Sequence, residues 1–151
     1  MSLSDSFPEN FREDFALRNL KIGSVIRVYV QDTIPPKEKR FILVAASYDK
    51  LIFATIFINS EINPNVFPTQ DLRDLNLELT TINRAYLDHD SYADCSKITK
   101  RNADWLLNII DDDPSRIIGE VSEPDLKEIR AKIKSARTIT PGIKKTFGLY
   151  L

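Results

Sequence analysis

The hydrophobic positions of this chain fall into short runs divided by turn-forming residues, and most of the runs have strand lengths. Gly23 opens the first of them, and Val25 to Val30 is rich in β-branched and aromatic residues. Asp32-Thr33-Ile34-Pro35-Pro36 breaks it. Phe41 to Ala46 and Leu51 to Ile58 are two further apolar runs, joined by the turn-like Ser47-Tyr48-Asp49-Lys50. Three such runs in succession predict an antiparallel meander. Turn formers fill 59–65, Leu75 to Leu79 alternates as an edge or barrel strand should, and Ser91 to Ile98 alternates more loosely.

Helical spacing occupies the rest. Ser6 and Glu9 have the spacing of a capping box, Pro8 suits a first turn, and Phe11 and Phe15 share a face, so an N-terminal helical arm is expected over 1–21. A helix near 100–110 carries Trp105, Leu106, Ile109 and Ile110, and Asp111-Asp112-Asp113-Pro114 stops it. Arg116 to Val121 reads as a last short strand. Ser122 then caps an amphipathic helix striped by Leu126, Ile129 and Ile133. Short strands followed by such a helix predict a mainly β, α+β fold. The expected form is a small SH3-like barrel, closed or half-closed. The expected organisation is a single domain over 1–151, with barrel and helices at 22–137 and a tail at 138–151. The tail ends Phe147-Gly148-Leu149-Tyr150-Leu151 and is expected to pack back on the barrel, since an exposed apolar end invites aggregation.

Composition narrows the chemistry. With 42% hydrophobic and 28% charged residues the chain can bury a core without staples, which sets it apart from disordered sequences. A lone Cys95 forms no internal disulfide, and one His with one Cys builds no zinc site unaided; metal chemistry on carboxylates stays open but no regular ligand spacing supports it, and no metal or cofactor is expected. No apolar run approaches a membrane span and Met1 to Ser4 opens no signal peptide; a cytoplasmic protein is expected. The net charge of -1 conceals an asymmetry, because 127–145 carries seven cations against Glu128 alone. A basic segment on an acidic body suits a polyanion, an acidic protein partner, or simply solvent.

The stretch from Asp88 to Ile98 holds the only His and the only Cys, among Asp88, Asp90, Ser91, Asp94 and Ser96. His89 falls just before the predicted strand, near a loop mouth, where catalytic groups collect. A solvated turn leading into a strand is the plainer reading of the same residues.

The order of elements resembles the MazF/PemK-like toxin family, which shares its fold with CcdB. Gly23-Ser24-Val25-Ile26-Arg27-Val28-Tyr29-Val30 is similar to that family's opening strand. Lys39-Arg40-Phe41-Ile42-Leu43-Val44 matches its basic residue before an apolar strand, and Ile58-Asn59-Ser60 matches the hydroxyl that ends the next one. Asp90-Ser91 through Ala136 follows the remaining order. The resemblance spans roughly 22–137. Two departures stand out: Thr33 to Glu38 replaces a Gly-rich loop, and Phe41 stands where a Pro usually follows the Arg.

The resemblance implies a metal-independent endoribonuclease that cuts single-stranded RNA, acts as a homodimer and is held in check by an antitoxin protein. Such cleavage needs a base for the 2′-hydroxyl, a cation or donor for the phosphorane charge, and an acid for the leaving oxygen. Arg40 is the first candidate because a guanidinium holds two phosphate oxygens in fixed geometry. Ser60 would donate to the same phosphate, and histidine is the side-chain type suited to proton shuttling near neutral pH, which nominates His89. Lys39 and Lys37, on one loop, would add charge for the RNA backbone, and Glu61 beside Ser60 joins them as an alternative base. Tyr29, Tyr48, Phe67 and Tyr92 are conceivable base-stacking rings but read as core, and Trp105 reads as core or dimer contact. The alternative function is a barrel without catalysis that binds a nucleic acid or, like CcdB, a protein target.

Overall fold

The computed structural model describes residues 20–30 and 37–150, and the N-terminal arm and the 31–36 loop lie outside them. Among the described residues seven strands form one antiparallel sheet: β1 (Ser24–Val30), β2 (Lys37–Ala46), β3 (Ile52–Asn59), β4 (Asn76–Leu79), β5 (Ser91–Asp94), β6 (Thr99–Asn102) and β7 (Ile117–Glu120). Four helices accompany them: α1 (Gln70–Arg73), α2 (Ala103–Asp112), α3 (Glu123–Ser135) and α4 (Pro141–Thr146). The strand order is β4-β5-β3-β2-β1-β7, with β6 also on β3, and the sheet curls into a half-barrel.

β1, β2 and β3 form the expected meander, in a register that pairs Arg27 with Arg40 and Arg40 with Ile58. Their apolar runs are continuous because both faces of the sheet are covered. On one face Ile42, Val44, Ala54, Ile56 and Ile58 pack with Leu126, Ile129 and Ile133 of α3. On the other, Ile26, Val28, Phe41, Leu43 and Phe53 pack with Leu106, Leu107 and Ile110 of α2. An irregularity between Leu43 and Ala45 sends Val44 and Ala45 to the same face, which bends β2.

Three sequence expectations need correction. β2 begins at Lys37, so Lys37 and Lys39 lie on a strand and not on a loop. The strand expected over 91–98 ends at Asp94, and a second strand begins only at Thr99. Asp94 accepts from the Ser96 backbone and hydroxyl, and this turn lets β5 pair with the end of β3 while β6 pairs with its start. The helix near 100 therefore begins at Ala103, with Asn102 as its cap, because Thr99 to Asn102 is taken up by β6.

From Ser122 onward the chain follows expectation, except that α4 forms within the tail. Ser122 accepts from the Asp125 amide to start α3, and the tail packs back, with Phe147 and Leu149 buried in the α3-side core. No helix among the described residues is long and apolar enough to cross a membrane.

Gly119 on β7 meets the ring of buried Tyr86 so closely that an added Cβ would stand 2.9 Å from Tyr86 Cβ. That atom is close to backbone and gives way poorly. Gly119→Ala should therefore cost about 1–3 kcal/mol, read as a lower urea midpoint at unchanged slope.

Candidate nucleic-acid cleft

Three separate segments meet at the end of the β2–β3 ribbon. The register that pairs Arg40 with Ile58 brings β2 alongside the end of β3, and pairing of Asn59 with Tyr92 brings the start of β5 to the same place. Ser60 follows β3 and His89 precedes β5. A cleft of about 200 Å³ results, lined by Lys37, Lys39, Arg40, Ser60, His89 and Ser91 together with Glu38, Ile58 and Asn59.

Five of the six residues singled out from sequence thus share one cavity. Glu61 is exposed on the turn after β3 and is not part of the lining. Sequence gave no means of placing His89 near Arg40, since the approach depends on two strand registers.

Arg40 is the electrostatic centre. Its Nη2 donates to Asp88 Oδ2 at 2.7 Å, across 48 residues of chain. The arginine side chain is 25% exposed and the aspartate 78%. Arg40 Nε is buried and has no hydrogen-bond partner among the described residues. A buried N–H left without an acceptor costs about 1–3 kcal/mol. Asp88 was not among the residues chosen from sequence, and no local spacing could have joined it to Arg40.

The other groups are held more loosely. Lys39 Nζ donates to Asn59 Oδ1 at 3.2 Å and lies 5.9 Å from the Phe57 ring centre. Ser91 Oγ donates to the His89 carbonyl at 2.9 Å and lies 3.2 Å from His89 Nδ1, which is also 3.1 Å from the Asp90 carbonyl. These contacts fix the imidazole through one nitrogen. Glu38 is engaged by Arg27, whose Nε donates at 2.9 Å, so the cleft's glutamate is neutralised from the neighbouring strand.

The loop that delivers Asp88 and His89 is pinned to the body of the protein. Tyr86 and Leu87 are buried in the core, and Arg84 grips Asp125 of α3 through two bonds of 2.9 Å. The bond from Arg84 holds the Asp125 carboxyl below the ordinary carboxylate range, against the opposing effect of burial.

Cys95, in contrast, contributes no chemistry to the cleft. It is fully buried, and desolvation, with the nearby Asp94 charge, pushes its thiol up to about 12, far from a reactive thiolate. Two of the rings read as core are in fact exposed, Tyr29 and Tyr48, whereas Phe67 is buried as expected. Trp105 is exposed as well, because the buried face of α2 is centred on Leu106, Leu107 and Ile110 and leaves it on the flank. No protein-family model, no curated protein and no solved structure matches this chain.

Proposed function

We propose that this protein is an SH3-like barrel of the MazF/PemK/CcdB type and a metal-independent endoribonuclease acting on single-stranded RNA. The observation that carries the reading is Arg40. Its side chain lines a cleft with a hydroxyl, an imidazole and two lysines, and its Nη2 is open enough to hold an exposed carboxylate, that of Asp88. A phosphate oxygen is the acceptor that such a group favours. Homodimerisation and control by an antitoxin belong to the same proposal, as the family resemblance implies them.

The chemistry follows from the lining. His89 takes the 2′-hydroxyl proton, and the freed oxygen attacks the adjacent phosphorus. Arg40 and Ser60 stabilise the charge on the phosphorane oxygens, and the bond to the 5′-oxygen breaks as that oxygen takes a proton from solvent water. The products are a 2′,3′-cyclic phosphate and a 5′-hydroxyl. Lys37 and Lys39 hold flanking phosphates.

One observation favours the alternative of a binding module without catalysis: Asp88 already occupies the guanidinium that the reaction needs. A long mixed-sequence RNA incubated with the protein and a chelator decides between the two. Discrete cuts ending in cyclic phosphate are expected; RNA left intact at every protein concentration would give the function to the binding module.

A further inference from the structure

On the α2 face of the sheet, opposite the face that carries Arg40 and Ile58, lies a cluster of rings and cations that the cleavage chemistry does not use. Arg101 of β6 has its guanidinium carbon 5.2 Å from the Phe41 ring centre, 5.5 Å from Phe57 and 5.4 Å from Trp105. Lys39, which lines the cleft, also lies over Phe57. The cluster is therefore continuous with the cleft through a single side chain. Phe41 is fully buried, Phe57 partly so, and Trp105 is 41% exposed.

This exposure is not what the core demands. The α2 face is already sealed by Leu106, Leu107 and Ile110, and a large ring left on its flank adds little to that seal. Yet Trp105 is held in place. Its backbone amide bonds the Asn102 cap at the start of α2, and Arg101 covers its ring. A ring fixed before a ligand arrives loses little entropy on binding. The cations against these rings are Lys39 and Arg101. Asp104, next to Trp105 in the chain, lies in the first turn of α2, where the helix dipole takes up its charge.

Single-stranded nucleic acids are gripped by aromatic faces and guanidinium planes next to a cationic track for the backbone. We infer that Trp105, steadied by Arg101 and backed by Phe57, is a stacking platform for a base of the RNA strand whose backbone passes Lys39 at the end of the ribbon. The inference rests on the RNA reading of the cleft and adds a subsite to it. The platform would grip a base on the other face of the sheet from Arg40, and so favour substrates with an unpaired stretch beyond the bond that is cut.

Trp105 is the chain's single tryptophan, so its emission reports the platform alone. The experiment titrates a short 2′-O-methyl oligoribonucleotide, which lacks the attacking hydroxyl, and follows both tryptophan emission and the anisotropy of a dye on the oligonucleotide. Quenching that tracks binding is expected, together with its loss when one nucleotide is made abasic while the anisotropy change persists. Trp105→Ala should weaken binding roughly ten-fold, and Trp105→Phe, which keeps a ring, should restore most of it. Binding by anisotropy with no quenching, and equal affinity for parent and Trp105→Ala, would overturn the platform and leave the cleft proposal standing. An emission change that follows protein concentration without RNA would also overturn it, by making the patch a contact between copies. Absence of any binding, alike for parent and Arg40→Ala, would remove the RNA reading itself.

Discussion

Arg40→Ala is expected to lower RNA cleavage by about 10²–10³-fold, the loss typical of removing one donor to a developing oxyanion. The fold should survive, since the residue lies at the exposed end of the ribbon and its ion pair is worth only about 0–1 kcal/mol. Asp88→Asn should act in the opposite sense. The carboxylate competes with RNA for the same guanidinium, so its neutralisation should tighten binding of an uncleavable oligonucleotide about two- to five-fold at low salt. The two variants together test the role of the cation. Single-turnover cleavage and oligonucleotide affinity measure it, with far-UV circular dichroism as the control for folding. Equal cleavage by parent and Arg40→Ala would remove Arg40 from the reaction. Weaker binding by Asp88→Asn would make Asp88 a support for the arginine and not its competitor.

Asp125→Ala should be strongly destabilising, because Asp125 is a buried carboxylate paired with Arg84. It leaves Arg84, 22% exposed, without its carboxylate, and removal of one partner from such a pair costs about 3 kcal/mol. For a chain of this size that is about 6–12 °C in Tm. The sign with pH is fixed by the depressed carboxyl of Asp125. Its contribution is complete above the unfolded-state value, near 3.9 for an aspartate, and is lost as the pH falls below that toward the folded value. The gap between parent and Asp125→Ala should thus be constant at neutral pH and shrink below about pH 4. Asp49 and Asp113 are also held low, by bonds from Ser47 and Ser115, but they sit in exposed turns and stay the same in both proteins. Urea unfolding at a series of pH values measures the gap; a gap that persists in acid would mean the loss comes from packing and not from charge. The same pair anchors the loop of Asp88 and His89, so the variant should also cut RNA more slowly even where it is fully folded.

The meander and the capped α3 were legible because local chemistry dictates them: β-branched runs, a turn at Ser47 to Lys50, and Ser122 ahead of a 3.6-residue stripe. β6 was not, because Thr99-Lys100-Arg101-Asn102 is polar and its strand form depends on the free edge of β3. Lys37 to Lys39 read as loop for a similar reason, since charged residues extend β2 only where β1 lies opposite them. In the cleft, residue types suited to phosphate were visible one at a time, while their meeting depended on registers that no short window contains. Trp105 does not belong to the core, because helical spacing marks a stripe but not its edges.

Cys95 has a use that follows from its isolation. It is the chain's single thiol, sealed in the core beneath α3 and kept protonated there. Alkylation can reach it only when that face opens, so the rate of labelling is a clock for one half of the molecule. The α2 half carries no cysteine and leaves the clock undisturbed. Ligands that brace the Arg84 loop against α3 should slow it, and ligands that bind only at Trp105 should not.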